Sequence, residues 1–154
     1  MRRQRSAQRW RGRGLVAVAA ASRLHPMEID HDRQSLARAR ALVDAAMRDP
    51  ECWPAHLAQA EALLMAASAS APDDTAALTC LGAVLCDLAK YRQAAEALQR
   101  AVRLRSDDRN TYFNLGIALL NSGKRRQAMQ RFRQAASRRA SAATWEAYFD
   151  PHAQ

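Results

Sequence analysis

The feature that most constrains this chain is an internal repeat at a period of 34 residues. Residues 78–105, LTCLGAVLCDLAKYRQAAEALQRAVRLR, align without a gap on residues 112–139, YFNLGIALLNSGKRRQAMQRFRQAASRR. The offset superposes Leu81 on Leu115, Gly82 on Gly116, Leu85 on Leu119, Ala94 on Ala128, Leu98 on Phe132 and Ala101 on Ala135. Self-similarity at this period marks supersecondary units that stack, because one unit cannot bury its apolar face alone. Leu78, Leu81, Leu85 and Leu88 fall on one face of a helix. Gly82 and Gly116 leave room for a second helix to approach. Ala94, Ala101, Ala128 and Ala135 do the same on that second helix. Asp74 and Asp108 stand where N-caps are needed, just before TAAL and RNTY.

These positions resemble the tetratricopeptide repeat (TPR). In the first unit the pattern is carried by Leu78, Leu81, Gly82, Leu85, Ala94, Leu98 and Ala101. In the second it is carried by Tyr112, Leu115, Gly116, Leu119, Ala128, Phe132 and Ala135. The departures are Ala89, where the turn usually has glycine, and Ser106 and Ala140, where proline is usual; Gly123 keeps the turn glycine. The resemblance implies an all-α, right-handed α-solenoid and a non-catalytic protein-interaction module.

Stable arrays of this kind need about three units. Residues 54–74 match a second TPR helix through Ala60, Leu64 and Ala67, with Pro72 in the proline place. The helix before it is expected over about residues 33–48, with Leu36, Ala39, Val43 and Met47 inward and Asp49-Pro50 ending it. This first repeat, 33–74, is degenerate, with about eight residues too many in its inter-helix loop. Trp145, Tyr148 and Phe149, at i, i+3 and i+4, predict a C-terminal capping helix with one aromatic face. The expected architecture is therefore about three TPR-like helix pairs (33–74, 75–108, 109–142) plus a cap over 143–154, within a domain of 27–154.

The resemblance places partner binding on the concave face, supplied by the first helix of each pair. By position this face has Ala76, Thr79, Ala83, Cys86 and Asp87 in one unit and Asn110, Phe113, Ile117, Leu120 and Asn121 in the next. Thr79 and Ala83 replace the Lys and Asn of the carboxylate-gripping subfamily, so that mode is rejected. The expected partner is another protein, offering a peptide or an amphipathic helix. The competing reading is that Phe113 and Ile117 only pack against the first unit or the capping segment.

Charge is distributed unevenly. The net charge is +9. Residues 1–26 carry seven arginines and no acid, residues 27–89 carry −6, and residues 90–154 carry +8. Lys124, Arg125, Arg126, Arg131, Arg133, Arg138 and Arg139 form an acid-free basic run on a helix whose Ala128, Phe132, Ala135 and Ala136 are expected to face inward. Its bland reading is a solvated convex face. Its sharper reading is a surface for an acidic partner or nucleic acid, but aromatic side chains for base stacking are scarce, which disfavours nucleic acid. Self-association of the acidic half on the basic half, and an auxiliary role beside a glycosyl- or sulfotransferase or in a secretion system, stay open.

Other classes are excluded by motif. There is no GxxxxGK[ST], GxGxxG, GxSxG or HExxH pattern. Cys52, Cys80 and Cys86 form no CxxC pair and no closed disulfide set. No cofactor, metal or catalytic residue is expected. No apolar run reaches the roughly 18–20 residues of a membrane span. The arginine-rich segment 1–26 reads as a dispensable or disordered tail before a start at Met27, as a signal-like leader with an Ala19-x-Ala21 cleavage pattern, or as a basic arm. The compartment follows from that choice: cytoplasm, or export.

Overall fold

The structure, a computed structural model, describes residues 26–148. The three readings of the segment before Met27, and Phe149, lie outside the described residues. Six α-helices follow one another: α1 (Pro26–Arg48), α2 (Trp53–Ser70), α3 (Thr75–Asp87), α4 (Tyr91–Arg103), α5 (Arg109–Asn121) and α6 (Arg125–Ala136). No strand occurs among the described residues. Consecutive helices pack as three hairpins, and α3 also packs on α5 and α1, so the first helices of the pairs line one side.

Sequence fixes the helix ends. Asp74 caps α3 by accepting the N–H groups of Ala76 and Ala77 at 2.8 and 3.3 Å. Asp108 caps α5 by accepting the N–H of Asn110 at 3.0 Å. Each such cap satisfies donors that a helix start leaves orphaned, worth about 1 kcal/mol. Within the second and third pairs the turn needs a left-handed residue. Gly123 supplies it at φ 77°, and Ala89 is forced into it at φ 57°. Gly82 and Gly116 are the close-approach points: a methyl group at Gly82 would overlap Leu98, and one at Gly116 would overlap Phe132.

One continuous core runs through the hairpins. Leu57, Leu64, Val84, Leu98, Leu115 and Leu119 are fully buried in it, with alanines between them. The first pair differs from its expectation. Its helices are joined by a single turn, Asp49 capping the 3₁₀ segment Pro50–Cys52, and no long loop intervenes. The additional residues lengthen α1 and α2, because Ala-rich sequence with no internal breaker simply continues the helix. Ala46 takes the inward place expected of Met47, which is 41% exposed. In α6, Ala128 and Ala135 are buried but Ala136 is exposed, since among the described residues no further helix covers that side of α5 and α6.

The largest departure is at the C-terminus. Residues 139–148 form no helix. The expected aromatic capping helix is replaced by a strap that turns back from α6 and enters the face lined by α1, α3 and α5. Trp145 and Ala147 join the main core from this strap.

Candidate functional site

The strap is held at its start by Asp108. While capping α5, Asp108 Oδ1 also accepts the N–H of Ser141 at 2.9 Å, and Oδ2 accepts the Thr144 hydroxyl at 2.6 Å. The backbone N–H of Arg109 donates to Arg139 O at 2.9 Å. Arg109 also forms an ion pair with Glu146.

From there the strap runs along the groove, parallel to α3 and α5. Arg40 of α1 donates to Thr144 O at 3.3 Å and lies 5.8 Å from the centre of the Trp145 ring. Cys80 of α3 donates to Ala143 O at 3.6 Å. Asn110 donates through Nδ2 to the Thr144 hydroxyl at 3.0 Å. One turn further, Asn114 Nδ2 donates to Trp145 O at 2.9 Å and its Oδ1 accepts the Ala147 N–H, also at 2.9 Å. A carboxamide that gives and takes a hydrogen bond with the same backbone reads an extended segment without regard to its side chains. Trp145 is only 4% exposed, and Thr144 and Ala147 are also buried.

The match is incomplete. Among the described residues Asp87, Asn110 Oδ1 and Trp145 Nε1 are buried polar groups without hydrogen-bond partners. Asp87 closes the groove at the end of α3 and is 8% exposed. Burial pushes its carboxyl up to about 8, while the nearby Tyr148 N–H pulls it slightly back without completing a hydrogen bond. Burial, with the neighbouring Asp87 adding to it, likewise pushes the Cys86 thiol up to about 12. Both cysteines of α3 are protonated, inert donors in this setting.

The residues expected to line the groove divide into three groups. Thr79, Ala83, Cys86, Asn110 and Ile117 are buried at the inner face. Thr79 spends its donor on Thr75 O at 2.7 Å, so it accepts from Thr111 at 2.6 Å, and Thr111 in turn accepts from Ser106 at 2.8 Å. This hydroxyl chain ties two repeats together at the place where Ser106 replaces proline. Phe113 is half-buried, tilted against Phe132 at 5.6 Å with Arg109 over its face, on the uncovered side of the last pair. Leu120, at 42%, and Asn121 are exposed. Asn114 and Asp108, which hold most of the strap, were missed as groove residues. Their signal was polarity: Asn110 and Asn114 stand one turn apart on an otherwise apolar inner stripe.

Of the basic run, Lys124, Arg125, Arg126, Arg133 and Arg139 are exposed. Arg131 turns to Gln134, and Arg138 lies 4.0 Å from the centre of the Tyr112 ring, so these two are partly engaged within the fold. Among the described residues no group of three or more His, Cys, Asp or Glu side chains is placed to hold a metal ion, and no helix is long and apolar enough to cross a membrane.

A family model described as TPR repeat matches residues 82–123, from the close-approach glycine of α3 to the turn glycine after α5. No curated protein matches the chain. Repeats of this family typically act as non-catalytic protein-interaction modules. With its gapless 34-residue period, stacked helix pairs and glycines packed on Leu98 and Phe132, the chain carries a tetratricopeptide-repeat segment over residues 82–123 within an all-α, TPR-like array of helix pairs.

Proposed function

We propose that this protein binds an extended segment of a partner protein in the groove formed by α1, α3 and α5, and that its own residues 141–148 occupy the same groove in the absence of that partner. The observation that carries this reading is the two-way hydrogen bonding of Asn114 to the strap backbone. Such pairing favours an extended peptide over the amphipathic helix that apolar patterning alone suggests, because a helix spends its own backbone groups internally. Side-chain selectivity then comes from the pocket holding Trp145 beneath Arg40.

The test uses a fluorescent peptide of residues 140–149, ASAATWEAYF, added to the full-length chain. Ala147→Pro in the chain removes the donor to Asn114 and weakens the resident strap without touching a helix. The peptide is expected to bind this variant at least tenfold more tightly than the wild type. Adding Asn114→Leu should abolish binding. Absence of peptide binding to the wild-type and Ala147→Pro chains alike refutes the reading.

A further inference from the structure

The groove ends in a carboxyl group that its present occupant leaves without a partner. Asp87 is the last residue of α3, more than nine-tenths buried, and neither carboxylate oxygen has a hydrogen-bond partner among the described residues. Tyr148 of the strap lies beside it, and its other titratable neighbours, Cys86 and Tyr91, are not cations. Buried carboxylates are ordinarily paired or hydrogen-bonded, because an uncompensated one is costly. Upstream of Asp87 the strap is gripped continuously, through Thr144, Trp145 and Ala147. Asn110 Oδ1 and Trp145 Nε1 also lack partners along that stretch, but Asp87 is the one carboxyl group among these orphans. The opposite mouth of the groove is a cleft of about 810 Å³ whose lining includes Asp32, Asp73 and Asp74, and residues 27–89 carry a net −6.

We infer that the partner's segment carries a lysine or arginine where this chain has Tyr148, and that Asp87 is its receptor. Resting on the groove reading above, this makes the strap a deliberately imperfect occupant. Asn114 and Asp108 hold its backbone, as they would hold any extended chain. Asp87 rewards only the segment that brings a cation. Once paired inside the groove, that cation would be shielded from salt far better than a surface ion pair. A protein segment fits this chemistry better than a polyanion, which the Asp87 end would repel.

Two peptides decide the matter on the full-length Ala147→Pro chain: ASAATWEAYF, and the same peptide with Lys at the Tyr148 position. The lysine peptide is expected to bind tenfold or more tightly than the unmodified one. In the Asp87→Asn chain that gain should vanish while the unmodified peptide binds as before or better. Asp87→Glu should keep part of the gain, which separates loss of charge from loss of fold. If the lysine peptide does not gain, or if the gain survives Asp87→Asn, the inference is wrong though the groove reading stands. If no peptide binds at all, both fall.

Discussion

The backbone N–H of Ala147 and the side-chain Oδ1 of Asn114 meet at 2.9 Å across thirty-three positions of sequence. The same carboxamide donates to Trp145 O, so one side chain of α5 fixes two successive anchor points of the strap. Asn114 itself has no solvent exposure, and its amide has no water to fall back on. Asn114→Leu leaves Trp145 O and the Ala147 N–H buried and unpaired, a loss of about 1–3 kcal/mol for each group while the strap stays down. The strap is therefore expected to lift. Native-state hydrogen exchange should show the Ala147 amide losing its protection while core amides such as Leu115 keep theirs; equal loss at both would mean global destabilisation and no separate strap.

Asp108 serves two structures at once, the start of α5 and the start of the strap. Two substitutions separate them. Asn keeps an oxygen for the N-cap but cannot accept the Thr144 hydroxyl with its amide nitrogen, so Asp108→Asn is expected to cost about 1 kcal/mol. Asp108→Ala loses the cap and both strap bonds and is expected to cost about 2–3 kcal/mol. Urea unfolding of the two variants checks the order; an Asp108→Asn midpoint equal to that of the wild type would show that the Thr144 bond adds nothing to the cap.

Ala89 holds a left-handed turn at φ 57° where the equivalent turn has Gly123. That conformation costs a residue with a Cβ about 1–2 kcal/mol, partly offset because glycine gains entropy on unfolding, about 0.5–1 kcal/mol. Ala89→Gly should accordingly stabilise the fold by about 0.5–1 kcal/mol. For a domain of this size that is a rise in Tm of a few degrees, readable by calorimetry. A fall in Tm would contradict the strain.

How much could be read from sequence follows from what each signal encodes. The 34-residue period, Gly82, Gly116 and the caps at Asp74 and Asp108 placed α3 to α6, because helix pairing leaves a repeating imprint on side-chain size. The first pair was legible in its inward residues but not in its length, since Ala-rich helix carries no mark of where a loop should begin. The strap was misread. Trp145 and Tyr148 have helical spacing, yet their segment is extended because Asp108 and Asn114 satisfy its backbone from outside, an alternative that periodicity cannot represent. Phe113 and Leu120 were assigned to the groove by repeat position, but in the last pair those positions face a side that no further unit covers. Asp87 was visible as a polar residue closing an apolar helix; its lack of a partner is a property of the packed fold alone.

Asp87 also predicts how the strap responds to pH. Burial raises its carboxyl from 3.8 to about 8, with the Tyr148 N–H opposing slightly, and the facing groups Cys86 and Tyr91 supply no positive charge. Unfolded, the aspartate ionises at its ordinary value. Between about pH 4 and pH 8 the folded state therefore holds a proton that the unfolded state has released, and stability falls as pH rises, by at most about 1.4 kcal/mol per unit, before levelling above about pH 8. The fall cannot exceed the cost of lifting the strap, because lifting returns the carboxylate to water. Strap opening should consequently set in before global unfolding. Exchange of the Ala147 amide, corrected for the intrinsic pH dependence of exchange, is expected to lose protection progressively from pH 5 to pH 8 in the wild type and to stay level in Asp87→Asn, whose neutral amide has no charge to release. Superimposable pH profiles for the two chains would show that the Asp87 carboxylate does not govern the strap.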